Sequence, residues 1–296
     1  MVLAEKKKSI RFKGHETFTI REGWINKGLT EIRNNPYIFN INYGADDLGV
    51  GPNMAKAIRY WLKCAGLTEE KQREGVKLSS VGEMIFEYDP YIEDVFTLWL
   101  IHCRIAQNRE QATAWNLFFN EFGYEEFDRS QLMTEMKELV YLAAEQIAPD
   151  KKVADTSVES DCDAILHMYA KKGDKNGTPE EKNVSPFGKL ELIKIIDGKY
   201  VRKQPDLNRL PETVVLYLLV DCIGKKKSVH MDELLTIPNG PGKLLQLKRN
   251  GLAELLEKLA SKELIIMNRT AGLNMIYFPE EISTEKVVED YYRGNL

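Results

Sequence analysis

Two groups of residues in this 296-residue chain have types and spacings suited to chemistry on a phosphate. The first lies in residues 12–28, FKGHETFTIREGWINKG, which gather His15, Glu16, Arg21, Trp24 and Lys27 among few aliphatic side chains. Histidine and glutamate can move protons, arginine binds phosphate oxygens and tryptophan stacks on a base. His15, Glu16 and Arg21 are therefore the candidate catalytic set. A plainer reading has Phe18 and Trp24 anchoring the segment to a core while the charges pair on its surface. The second group is Asp161, Asp163 and His167 in residues 156–170, TSVESDCDAILHMYA. Cutting a phosphodiester commonly draws on Mg2+ or Mn2+ held by carboxylates, which polarises the phosphate and acidifies the attacking water. Asp163 and His167 are four apart and share a helix face, whereas Asp161 points elsewhere. As a metal-ligand set they compete with the reading that all three are solvated helix residues.

The elements that must position these groups show in the apolar periodicity. Residues 44–66, GADDLGVGPNMAKAIRYWLKCAG, predict two helices joined at a glycine turn, with Pro52 at a first helical position. Met54, Ala57, Ile58, Trp61 and Leu62 form one stripe of the longer helix. The opposite face carries Asn53, Lys56, Arg59, Tyr60 and Lys63, donors of the kind a recognition helix offers to phosphates and base edges. Residues 67–78 follow with apolar ends around a charged tip, so a hairpin beside the helix would complete a winged helix. A plain helical hairpin with a solvated cationic face fits the same pattern, and Ala45, Leu48, Ile58 and Trp61 are core on either reading.

A second unit of this kind is expected at the other end. Residues 210–222, 228–235 and 248–262 read as helices, and 264–267 with 273–278 as two strands around a charged tip at 268–272. Lys248, Arg249 and Arg269 are its DNA-facing candidates, although many winged helices bind proteins instead. Between the two units, helices are expected at 81–87, 91–105, 110–122, 128–147 and 156–170. Thr17 or Thr19 is expected to cap a helix over 21–33, Thr156 or Ser157 to cap the last of the middle helices, and Asp128 with Gln131 to form a capping box. Gly198 marks a hairpin tip within 190–201, and the polar run 171–186 reads as a linker. His102, inside an apolar helix, reads as a satisfied structural histidine. The fold class is mostly α, formally α+β, with two winged-helix-like units and short hairpin wings flanking a helical middle region. The expected domains are residues 1–126, 127–205 and 206–296.

A hydrophobic fraction of 43% with 29% charged residues is that of a soluble globular chain, and no apolar run approaches a membrane span. A cytoplasmic location is expected, and the singly scattered Cys64, Cys103, Cys162 and Cys222 read as buried free thiols. A net charge of −4 disfavours indiscriminate coating of nucleic acid, so DNA contact must come from local patches, such as Lys6, Lys7, Lys8, Arg11 and Lys13 or the cationic faces above.

Several motifs together resemble a bacterial family catalogued as domain of unknown function number four thousand and seven. They are Phe12-Lys-Gly-His-Glu-Thr-Phe, Arg21, Gly23-Trp24, Lys27-Gly28, Leu48-Gly-Val-Gly, Asn53-Met54, Ile58-Arg-Tyr-Trp and Leu98-Trp-Leu. Ser160-Asp-Cys-Asp, Ser185-Pro-Phe with Leu190, Tyr200 and Thr270-Ala-Gly-Leu extend the likeness over nearly the whole chain. The resemblance implies an association with DNA phosphorothioation and phage-defence clusters. It is similar to the nickase of the single-strand phosphorothioation system, which stands beside a cysteine desulfurase and a sulfotransfer ATPase. Implied are double-stranded DNA and those proteins as partners, with a homodimer left open, and nicking of one strand in support of backbone sulfur modification. The alternative is a non-catalytic recognition or scaffold subunit that positions the modification enzymes.

Overall fold

The structure is a computed structural model describing all residues except 1–8, 72, 150–151, 171–184, 225, 227 and 270–273. Lys6, Lys7 and Lys8, the expected linker at 171–184 and most of the expected 268–272 tip lie outside the described residues.

Helix α1 (Trp24–Asn34) opens the first group of elements. Its N-cap is Gly23 in the left-handed region, with no side-chain cap, so neither Thr17 nor Thr19 starts it and the segment before it stays irregular. Two 3-10 turns, Ile38–Asn40 and Asn42–Gly44, lead to short α2 (Ala45–Leu48) and then α3 (Pro52–Cys64), with Pro52 at the helix start as its missing N–H allows. Strands β1 (Thr68–Lys71) and β2 (Gly75–Leu78) follow as an antiparallel hairpin that pairs Thr68 with Leu78 and Lys71 with Gly75. The Val76 amide also donates to the Pro36 carbonyl, which docks the chain leaving α1 beside β2. Ala45, Leu48, Ile58 and Trp61 are all buried, as their spacing predicts.

The middle is helical. Ser79 caps α4 (Ser80–Tyr88), and Asp94 caps α5 (Val95–Gln107), which starts four residues later than periodicity suggests because the Asp89 carboxylate takes up the amides of Glu93 and Asp94 in a loop. The expected helix 110–122 shrinks to α6 (Thr113–Asn120). The Asp128–Gln131 capping box is formed at the head of α7 (Arg129–Ile147). Helix α8 (Asp155–Tyr169) begins after Ala154 without a side-chain cap, one residue ahead of Thr156. β3 (Glu126–Phe127), β4 (Ile193–Ile196) and β5 (Lys199–Arg202) make a sheet of order β3-β5-β4, with Gly198 at φ 79 in the β4–β5 turn. β3 is a strand that periodicity does not reveal, since two residues carry no pattern.

The last elements are α9 (Glu212–Ile223), β6 (Val229–His230), α10 (Glu233–Thr236), α11 (Pro241–Leu244), α12 (Arg249–Ser261), β7 (Ile266–Asn268) and β8 (Met275–Tyr277). Where one helix was expected over 228–235, the chain forms β6 and then one turn of helix, because Val229 and His230 pair with β8 instead. The sheet runs β6-β8-β7, and α13 (Thr284–Tyr292) closes the chain against α9 and α4. One continuous apolar cluster, from Ile20 to Val288, links the helices α1 to α13. Among the described residues no helix is long and apolar enough to cross a membrane.

Candidate functional site

The segment before α1 is a set of tight turns, with Lys13, Glu16 and Thr17 all at positive φ. Gly14 is needed there, because a Cβ at its position would lie 2.3 Å from the Tyr60 ring. These turns drive His15 into the interior, where it is 0% exposed. Its ring stacks on Trp61 at 5.9 Å between centroids and meets Trp115 edge-on at 5.7 Å. His15 Nε2 lies 2.8 Å from Asp161 Oδ1, and the same oxygen accepts the Lys13 amide at 2.8 Å. Burial pushes the Asp161 carboxyl above its ordinary value, and the His15 and Lys13 donors oppose that rise. His15 Nδ1 and Asp161 Oδ2 are buried without a hydrogen-bond partner among the described residues. Trp61 donates from Nε1 to the Phe18 carbonyl, so α3, α8 and the motif are tied at one point.

Outside this buried pair lies a cleft of about 500 Å³. Lys13, Thr17, Thr19 and Arg21 from the motif face Ser160, Asp163 and His167 of α8, with Arg129 from α7 at the edge. The two groups that the sequence offers as separate candidates thus meet: His15 and Asp161 join in the interior, and Arg21, Asp163 and His167 line the cleft. Glu16 is half-buried on its left-handed turn and does not line it. The Arg21 guanidinium lies over the rings of Phe18 and Trp24, at 5.7 and 5.4 Å. His15, Glu16 and Arg21 therefore do not converge on one open surface.

As a metal-ligand set, Asp161, Asp163 and His167 do not fit. Asp161 is turned inward, and both Asp163 oxygens take Arg129 in a bidentate pair at 2.7 Å each. Among the described residues no three His, Cys, Asp or Glu side chains converge as a cation would need. Arg129 is the cleft residue that sequence reasoning missed. It stands 34 residues from Asp163, and nothing in the local pattern links them.

On α3, Asn53 is exposed and Lys56 lies over the Tyr43 ring at 4.4 Å. Arg59 and Lys63 share the Glu70 carboxylate of β1, at 2.9 and 3.0 Å. Burial would raise the Glu70 pKa, but the hydrogen bonds from Lys63 and Arg59 outweigh it and hold the group below its ordinary value. Tyr60, expected on the open face, is instead 3% exposed and donates to the Gln111 carbonyl, because its ring fills the space beside Gly14. At the other end Lys248 lies 3.6 Å from Glu125, Arg249 pairs with Asp232, and Arg269 pairs with Glu257 at 2.5 Å.

The sequence model of one family, DUF4007, described as a protein of unknown function, matches residues 12–292. The chain belongs to the DUF4007 family. Two solved structures share the fold of this DUF4007 member. One is a magnesium-ion-bound SspB crystal structure, 23% identical, with a TM-score of 0.82 over 96% of this chain and 88% of that one. The other is an SspB crystal structure, also 23% identical with a TM-score of 0.82, covering 98% of this chain and 90% of its own. No curated protein matches in sequence. The family match begins at Phe12, so it takes in the turns that bury His15 as well as the α8 residues facing them.

Proposed function

We propose that this DUF4007 protein binds duplex DNA as part of a phosphorothioation-linked phage-defence system, and that it nicks one strand to support backbone sulfur modification. What carries the reading is the element order at both ends of the chain. Helix α3 and the β1–β2 hairpin, and α12 with the β6-β8-β7 sheet, follow the succession of a winged helix, with cations on each helix. The likeness to the SspB fold supports placing it in such a system, with a cysteine desulfurase and a sulfotransfer ATPase as partners. Of the cations at the two ends, Arg59, Lys63, Lys248, Arg249 and Arg269 are paired with carboxylates, while Lys56 forms no ion pair among the described residues. Such pairs are each worth about 0–1 kcal/mol, so a phosphate backbone can displace them.

In the cleft, Lys13, Arg21 and Arg129 suit the oxygens of a phosphodiester, and the exposed His167 can give or take a proton as water adds across the P–O bond. No step is routed through Mg2+ or Mn2+, since the donors do not converge on one. A second reading, a recognition subunit that does not cut, is supported by the Arg129–Asp163 pair, which occupies both oxygens of the cleft carboxylate that could otherwise activate water.

Incubating the purified chain with supercoiled plasmid and Mg2+ or Mn2+ separates the two. Open circles formed by wild type and lost in Arg21→Ala and His167→Ala support nicking from the cleft. If no condition yields open circles but a labelled duplex is retarded in a gel, the recognition reading takes its place. If neither occurs, the DNA reading falls.

A further inference from the structure

Between α1 and α2 the chain displays three large apolar side chains to solvent within seven residues: Tyr37 at 49% exposure, Ile41 at 81% and Tyr43 at 48%. Ile41 is the most exposed large hydrophobic side chain among the described residues. An apolar side chain so placed gains nothing for the fold, and the backbone nevertheless holds it in a defined position. Asn42, Tyr43 and Gly44 are consecutive left-handed residues, at φ 44, 55 and 75. A Cβ on Gly44 would meet Ile38 Cγ1 at 2.9 Å, so the turn is pressed against the core. The Gly44 amide donates to the Ile41 carbonyl, and the Tyr37 hydroxyl donates to the Arg73 carbonyl in the β1–β2 turn. Three successive non-extended residues at a tip, two of them not glycine, are a costly conformation of the kind kept at binding sites.

The surroundings select the occupant. Lys56 and Arg73 form no ion pair among the described residues and adjoin this loop, Lys56 with its ammonium over the Tyr43 ring and Arg73 through its carbonyl, which accepts from Tyr37. Asn40 and Asn53 add exposed amides, and the exposed carboxylates nearby are Asp46, which accepts from the Asn42 side chain, and Asp47, both on α2 just after the tip. An apolar tip with unpaired cations and amides beside it is the composition of a side-chain wedge, which enters between base pairs while its neighbours hold phosphates. We propose that Ile41 is such a wedge, inserted between two stacked base pairs of duplex DNA and kinking it, with Tyr37 and Tyr43 packing on the opened step. This inference rests on the DNA-binding reading and adds to it that the protein deforms the duplex it binds.

The test uses the full chain and a duplex of about 20 base pairs with a donor and an acceptor dye at its ends, short enough to stay straight unless kinked, and a denaturing gel of each sample shows that both strands are still whole. Anisotropy reports binding, and energy transfer reports the end-to-end distance. Wild type is expected to bind and to raise the transfer efficiency. Ile41→Ser is expected to reduce that rise at least about fivefold, at saturating protein, while Ile41→Leu retains it. Unchanged melting temperatures keep folding out of the comparison, since Ile41 is exposed. Wild type that binds without any change in transfer, or Ile41→Ser that kinks as wild type does, overturns the wedge and leaves DNA binding standing. If wild type fails to bind duplex at all, the DNA reading falls and the wedge with it. Wild type that sediments as a dimer, which Ile41→Ser converts to monomer, assigns the tip to protein contact and overturns the proposal.

Discussion

At the scale of single residues, the His15–Asp161 pair does most to fix the candidate site. Both side chains are buried, and the carboxylate serves an imidazole and a backbone amide at once. Removing it leaves two donors without an acceptor, and breaking one side of a buried pair costs roughly 3–5 kcal/mol. Asp161→Ala is therefore expected to lower stability by about 3 kcal/mol in urea denaturation, whereas Asp161→Asn, which keeps an oxygen facing Lys13, costs about 1–2. Equal losses for the two variants would mean that the contact contributes only by filling space. Residue types alone bring out His15, Arg21, Asp161, Asp163 and His167 but not their grouping. No spacing rule places residue 15 against residue 161, and Arg129 enters only because α7 and α8 lie side by side. The burial of His15 was illegible for the same reason, since a histidine among charged neighbours reads as exposed until Trp61 and Trp115 are folded around it.

At the scale of elements, periodic segments were legible and short ones were not. Helix α3 and its stripe could be read from the sequence because thirteen residues repeat one apolar face. β3 and β6, two residues each, exist only through their partners β5 and β8. Tyr60 lay on the wrong face of the reading because a hydroxyl-bearing ring suits solvent and core equally until its neighbour is known to be Gly14. The hairpin matters to α3 in a way the pattern did not disclose: Glu70 of β1 pairs with both Arg59 and Lys63 and offsets one of their two charges. If this flank meets DNA, that carboxylate also repels the backbone. Glu70→Gln is then expected to tighten duplex binding by about threefold to tenfold at low ionic strength, with the gain shrinking as salt is added. Titrations by fluorescence anisotropy at two salt concentrations read this directly. An unchanged dissociation constant in both would remove the α3 flank from the interface.

At the scale of the whole molecule, a neutral histidine ties the middle helices to the C-terminal elements. His102 of α5 is fully buried; its Nε2 donates to the Leu244 carbonyl of α11 at 2.9 Å, and its Nδ1 lies 2.8 Å from the Tyr169 hydroxyl of α8. With Leu244 able only to accept, the proton sits on Nε2 and Nδ1 accepts from Tyr169, so both nitrogens are satisfied without charge. That is the structural histidine its apolar helix predicts. Burial holds its pKa down at about 4, from an ordinary 6.5, against the opposing pull of the Leu244 carbonyl. The unfolded chain therefore takes up a proton here first as pH falls. The stabilisation from neutral His102 is complete above about pH 6.5, declines between 6.5 and 4, and has fallen by about 3 kcal/mol at the lower limit. Because many carboxylates also titrate in that range, the slope attributable to His102 is the difference between wild type and His102→Gln, a neutral side chain able to donate to Leu244. Urea denaturation at pH 7.5 and 4.5 should show wild type losing about 2–3 kcal/mol more than the variant. Parallel losses would mean that a proton reaches this imidazole without cost, and that α5, α8 and α11 are not held together by its neutral form.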